Sequence, residues 1–423
     1  MRPNARANRR WRLTLRRFGA LVAAASVVAG ILLAGVVVVS LALARGCGTS
    51  SAPDVPMSAS RLAATALAGH PVASASAGPD LVFVSLRGWR SGDRSGIEVL
   101  RRHRGGLRST AVISMRSQPA GLATSPNGRL LLAALDEGVA VLDVARAATG
   151  DPSALLGTVP TGRGAGTAQV AVAGRYVFTA DETAGRVTVL DLPRLEAGDF
   201  GPGAQVAAVE VDMAPAGLSG SPDGRYMYVV SQVERPVVSL APSDFLYSLM
   251  TSVGVPRRSG ILGVIDIGRI ERNAASAIIA RVPAGCGPVR VAASPDGKTV
   301  WVTARRSNEL LAFRADQVLA GRAVEPVARI PVAAGPQGLR LAGEGRFALV
   351  AGSDRGAEAG AAQALDVVDT AAALAGRPSL RSVVTAGGMP HEVDLSPDGL
   401  TAYVTNAGTS TLSTVDLAAL LGA

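Results

Sequence analysis

The run MPHEVDLSPDGLTAYVTNAGTSTLSTVDL, residues 389–417, decides the fold. Aliphatic and β-branched residues alternate with polar ones in three short stretches of it, the period of two expected of half-buried strands. SPDG separates the first two stretches and supplies Pro, Asp and Gly for a tight reversal. The same pattern recurs as PAGLATSPNGRLLLAALDEGVAVLDV (119–144), PAGLSGSPDGRYMYVVSQ (215–232), PVRVAASPDGKTVWVTARRSNELLAF (288–313) and PQGLRLAGEGRFALVAGSD (336–354). A shorter-turned copy, TAQVAVAGRYVFTADETAGRVTVLDL, covers 167–192, and the earliest begins at Pro71. The copies start at 71, 119, 167, 215, 288, 336 and 390, so four of the six steps are 48 residues. Each copy has room for four strands, and a repeat of this length with four strands is a propeller blade.

Closure can be read from the two ends. The last copy stops at its third strand, STLSTVDL (410–417), while RLAATALAGHPV (61–72) matches RSVVTAGGMPHE (381–392) and AIIARVPAGCGPV (277–289). The N-terminal run therefore predicts the missing outer strand of the last blade, which removes an open sheet edge. The expected fold is all-β: a seven-bladed β-propeller over residues 60–417, closed by an N-terminal outer strand and preceded by one transmembrane helix.

That helix is read from FGALVAAASVVAGILLAGVVVVSLALA, residues 18–44, which carries no charge. At about 1.5 Å per residue it would span about 40 Å, enough to cross a bilayer with some tilt. Residues 1–17 hold seven arginines and no acid, a basic tail that belongs on the cytoplasmic side and places the rest outside. A cleaved signal peptide is the competing reading, since Ala42-Leu43-Ala44 has the small-residue cleavage form, but the apolar run is longer than a signal needs. Arg45 spoils a lipoprotein box before Cys47, and the arginine pairs lack the rest of a twin-arginine signal. Residues 45–59, rich in Ala, Ser and Pro, read as a flexible linker.

The chain has a formal net charge of +9, yet without the seven N-terminal arginines 35 basic residues face 33 acidic ones. A nucleic-acid footprint is therefore not expected. Two cysteines, Cys47 and Cys286, exclude a disulfide framework and a cysteine-built zinc site but leave a single bridge open. Motifs for serine hydrolases, zincins, nucleotide-binding loops and EF-hands are missing, and no metal or cofactor is expected. TGRGAGTAQ (161–169) leads into an inner strand and reads as a blade connection.

AYVTNAGTSTLSTVDL with the SPDG before it resembles the YVTN-repeat β-propellers, whose relatives include lactonase-like and surface-layer propellers. The resemblance covers nearly all of the chain beyond the apolar run. It implies a monomeric propeller acting as a binding or scaffold module for a protein, glycan or small ligand, and only in some members an enzyme.

Calling the face where inner strands begin the upper one, the loops joining second to third strands also lie there, and the SPDG turns lie below. The fourth blade's upper loop, 234–260, is long and carries Phe245, Tyr247 and Met250, a candidate lid or docking element. A smaller loop, 354–363, shares that face. Two and four residues into the inner strands the positions are mostly small: Gly121, Ala123, Gly217, Ser219 and Gly338. The exceptions, Gln169, Arg290, Arg340, Glu392 and Asp394, with His391 beside them, are the candidate ligand-binding residues of the channel. Arg340 and Asp394 are expected to pair across a blade boundary. P-H-x-x-x-S-P-D-G resembles the segment by which lactonase-type propellers place a His near the mouth. That resemblance implies an alternative, a lactone hydrolase with His391 as general base and Glu392 and Arg290 in support. Cys286, in the loop leading into the fifth blade, reads as a small buried thiol.

Overall fold

In the computed structural model the described residues are 49–53, 55, 62–88, 93–103, 106–162, 164–233, 259–321, 324–353, 363–385 and 387–421. They form seven antiparallel four-stranded sheets. Six sheets run inner to outer in chain order, with inner strands His70–Ser76, Leu122–Thr124, Thr167–Ala173, Met213–Gly220, Pro288–Ala293 and Pro336–Ala342. The seventh starts with Pro390–Leu395 and takes its outer strand, Leu62–Ala66, from the other end of the chain. Leu62 lies opposite Val415 and Ala66 opposite Thr411, so backbone hydrogen bonds close the ring as the repeat count required.

The SPDG turns show why that tetrapeptide recurs. In the second, fourth, fifth and seventh blades the Ser hydroxyl donates to the Asp or Asn two residues on, as Ser294 does to Asp296 at 2.6 Å. The same hydroxyl accepts the N–H of the next strand, and the Asp or Asn oxygen accepts an N–H of the turn. Gly128, Gly224, Gly297 and Gly399 take φ between 69° and 70°, a left-handed conformation that glycine adopts without strain. These hydrogen bonds hold the Asp296 carboxyl below its ordinary range, the Ser294 hydroxyl contributing most. The turns are occupied in holding strands together.

Packing runs between blades. Phe83, Ile97 and Val99 of the first blade bury against Leu131, Ala133 and Leu142 of the second. The closing joint is built from Val82, Val84, Leu86 and Leu100 on Tyr403 and Leu412, and Arg102 donates to the Tyr403 hydroxyl at 2.6 Å. Trp301, Phe178 and Phe313 are the other large aromatics buried in full, and small aliphatics fill the remaining space.

One feature is missing from the strand reading. Short helices follow several third strands: Val144–Ala147, Leu192–Glu196, Thr370–Leu374 and Leu417–Leu421. Asp143, Asp191 and Asp369 end their strands and cap the next helix through a side-chain oxygen. Residues 18–44 lie outside the described residues, among which no helix is long and apolar enough to cross a membrane. Ser50, within the segment read as a linker, is bonded to the fifth blade: its N–H donates to Ser307 O at 2.8 Å.

Candidate functional site

The channel is shaped by a bulge near the head of most inner strands. In the third to seventh blades the pairing register skips one residue near the start of the inner strand, directly after Thr167 or the Pro that begins the repeat: Ala168, Ala216, Val289, Gln337 and His391. A bulged residue is released from the ladder and its side chain is re-aimed. Three of these five are apolar. Gln337 and His391, on neighbouring blades, are the polar pair, which gives this sector of the mouth a chemistry the others lack.

His391 is fixed by its backbone neighbour. Nδ1 lies 2.9 Å from Val72 O of the first blade. A carbonyl oxygen only accepts, so Nδ1 carries the proton and donates. Burial pushes the imidazole down to about 4, with the Arg290 charge adding to it. The ring is therefore neutral at pH 7 with a bare lone pair on Nε2, which has no hydrogen-bond partner among the described residues. A neutral imidazole with a free Nε2 can accept a proton or a hydrogen bond.

Arg290 and Glu392 meet across the channel. Arg290 Nη2 is 2.6 Å and Nε 2.7 Å from Glu392 Oε2, and the side chains are 12% and 8% exposed. They come from the fifth and seventh blades, so the pair passes over the sixth. Arg290 Nη1 also donates to Ala216 O at 3.3 Å and Val289 O at 3.0 Å, which ties in the fourth blade. Burial works to raise the Glu392 carboxyl, but the charge and hydrogen bonds of Arg290 outweigh it and leave it below its ordinary value. Small neighbours permit the crossing. A Cβ on Gly217 would sit 2.7 Å from Val289 O and 3.0 Å from Arg290 Cα.

Arg340 and Asp394 also meet, more loosely, at 3.5 Å. Asp394 accepts from Ser76 N at 3.1 Å and Ser76 Oγ at 3.2 Å, joining the seventh blade to the first. Burial raises the Asp394 carboxyl, and Arg340 works against that. Gln169 gives its Oε1 to Leu218 N at 2.8 Å and stitches the third blade to the fourth. Gln169, Arg340, Glu392 and Asp394 line one cavity of about 380 Å³ that extends toward Pro397 in the last lower turn. The structure thus gathers five of the six candidates into two ion pairs and one interblade hydrogen bond. His391, not on the wall of that cavity, keeps a free atom. Phe245, Tyr247 and Met250, and residues 354–362, fall outside the described residues, and Val233 and Ser259 flank the first of these segments.

A polar collar at the mouth was not anticipated. It is formed by residues at, or one residue from, the ends of the second strands: Arg87, Asp136, Glu182, Gln232 and Arg305 on the first five blades. Gln232 Nε2 donates to Glu182 Oε1 at 3.0 Å, and Arg305 Nη2 reaches Gln232 Oε1 at 3.5 Å. Burial lowers the Arg87 guanidinium, and the charges of Glu182 and Asp136 oppose that. Aligning the ends of second strands, rather than the starts of inner ones, brings this signal out of the sequence.

Cys286 corrects an expectation. It is half-buried in an upper loop and is disulfide-bonded, so it is not the small buried thiol read from the sequence. No cluster of three His, Cys, Asp or Glu residues able to hold a metal exists among the described residues.

No known protein-family profile matches the chain, and no curated protein matches it in sequence. Solved structures do match in shape. Hydrazine synthase of Kuenenia stuttgartiensis is 18% identical with a TM-score of 0.61, covering 86% of this chain and 99% of that one. A chain of a mitotic checkpoint complex is 12% identical with a TM-score of 0.62, covering 87% of this chain and 98% of its own. At these identities the likeness is one of fold alone. This chain is a seven-bladed β-propeller.

Proposed function

We propose that this protein is a membrane-anchored, extracytoplasmic propeller of the YVTN-repeat kind that binds a protein, glycan or small ligand at its upper mouth. The observation that carries the reading is the free Nε2 of neutral His391, at the bulge position that Gln337 occupies on the sixth blade, in a channel that also carries a collar of charged and amide side chains. Elsewhere in the channel the polar groups are largely used on one another, whereas the Nε2 of His391 stays available to a partner. The arginine cluster and apolar run of residues 1–44 support anchoring and export.

A second reading, a lactone hydrolase, is favoured by one feature only. A neutral imidazole with a bare nitrogen is what a general base requires. Against it, Arg290 is committed to Glu392 and two carbonyls, so it is not poised to receive an oxyanion. The test is hydrolysis of a lactone panel by the wild type and His391→Ala. The binding reading expects equal, background-level rates from both, and a wild-type rate about 100-fold or more above the variant would establish the enzyme instead.

A further inference from the structure

We propose that the channel carries a second site, below the mouth, that binds a free α-amino acid, with the ligand's carboxylate on Arg340 and its ammonium on Glu392 and Asp394. This site goes beyond the mouth reading and does not depend on it: neither His391, nor Gln337, nor any residue of the collar lines the cavity concerned.

Groups of both signs with bonding capacity to spare face this one space. Glu392 and Asp394 alternate along the last inner strand, so their side chains leave the same side of it. Arg290 takes only Oε2 of Glu392, through Nε and Nη2, and Oε1 has no hydrogen-bond partner among the described residues. The Glu392 side chain is 8% exposed and lines the cavity, so that oxygen is left for what enters there. Arg340, from the sixth blade, is the converse. Its side chain is 49% exposed, and its one polar contact among the described residues is the 3.5 Å approach to Asp394 Oδ1, too long for a firm hydrogen bond. A guanidinium forks into several N–H donors, so most of its capacity is unused. The charge of Arg340 acts on both carboxylates, opposing the effect of burial on each.

Charge balance selects the ligand. Glu392 and Asp394 are matched by Arg290 and Arg340, so the set is neutral as it stands. A bare anion or a bare amine would leave an excess charge in a largely buried channel, which is costly. A zwitterion brings both signs and no excess. In an α-amino acid the ammonium and the carboxylate sit on one carbon, which suits a guanidinium standing beside a carboxylate: the ligand's carboxylate takes the spare N–H donors of Arg340, and its ammonium donates to Glu392 Oε1 and to Asp394. The rest of the wall leaves room for a side chain. Ala75, Ala123, Ala171 and Gly220, one from each of the first four blades, are small, and 380 Å³ lies within the range of about 300–1,000 Å³ usual for small-molecule sites.

Titration calorimetry on the full-length chain in detergent tests this, with each common L-amino acid offered in turn at up to about 10 mM. The tightest should show a Kd below about 1 mM, and its N-acetyl and amide derivatives, which each lose one charge, should bind about tenfold or more weakly. In Arg340→Gln the amino acid should lose about tenfold, while the amide derivative, which has no carboxylate to place there, should be unchanged. The derivative series is run on the wild-type chain, so it decides the matter even where Arg340→Gln fails to fold. His391→Ala with Gln337→Ala should bind the amino acid as the wild type does; a loss in that background would put the ligand at the mouth and overturn the second site. No binding by any amino acid, derivatives that bind as tightly as the parent, or D-glucose binding in the amino acid's place would each overturn it as well.

Discussion

Replacing Arg290 by Met tests the channel most severely. The substitution keeps much of the side-chain volume and removes the guanidinium, stranding a Glu392 side chain that is 8% exposed and freeing Ala216 O and Val289 O. Breaking a buried pair by removing one partner costs about 3–5 kcal/mol, because the remaining charge is neither solvated nor matched. Removing both, as Arg290→Met with Glu392→Leu, leaves no uncompensated charge and should cost well under the sum of the single changes. The double-mutant cycle should give a coupling of about 3 kcal/mol. The pH profile provides an independent sign. In the wild type the Glu392 carboxyl lies below its ordinary value, so its contribution is present above the unfolded value and is lost as pH falls through the folded one. In Arg290→Met, burial acts unopposed and raises that carboxyl, so the variant should regain stability relative to wild type on acidification. Denaturant titration followed by tryptophan fluorescence, with Trp301 buried in the core, reads both effects. Single variants within about 1 kcal/mol of wild type, additive in the double, would refute the pair as a bond across the channel.

Further outcomes are expected elsewhere. Asp366 is 1% exposed, accepts Ala333 N at 2.6 Å, and is pushed up to about 6 by burial. Since the folded value lies above the unfolded one, stability should decline as pH rises through that interval; Asp366→Asn should flatten the profile and gain about 2–3 kcal/mol at pH 7, and an unchanged profile would count against it. Gly217→Ala places a methyl 2.8 Å from Val230 Cγ2 and 2.7 Å from Val289 O, and should cost about 1–3 kcal/mol by thermal denaturation. Ser294→Ala removes a donor to Asp296 and the acceptor for Thr299 N, and should cost about 1–2 kcal/mol; no loss would mean that the turn hydroxyls are dispensable.

The repeat made the blade count, the closing strand and the lower turns legible, because each rests on a local pattern: a period of two, or a glycine where the backbone turns left-handed. The Arg340–Asp394 contact was also legible, since it joins equivalent positions on adjacent blades. Arg290 with Glu392 was not. The two are 102 residues apart and skip a blade, and only the channel's width decides that Arg290 reaches that far. Nor did the sequence reveal the bulge that re-aims His391, because Pro390-His391-Glu392 reads as an uninterrupted strand. The short helices were announced by Asp143, Asp191 and Asp369 at their caps, a signal that the strand period obscured.

The proposal that the upper mouth is the working face is tested most directly by a photo-crosslinking residue placed at Glu182 in the collar and, separately, at Asp223 in a lower turn, both in intact cells. Adducts should form from position 182 and be lost in a His391→Ala, Gln337→Ala background, with none from position 223. Adducts from position 223 alone, or from 182 regardless of those two side chains, would contradict it.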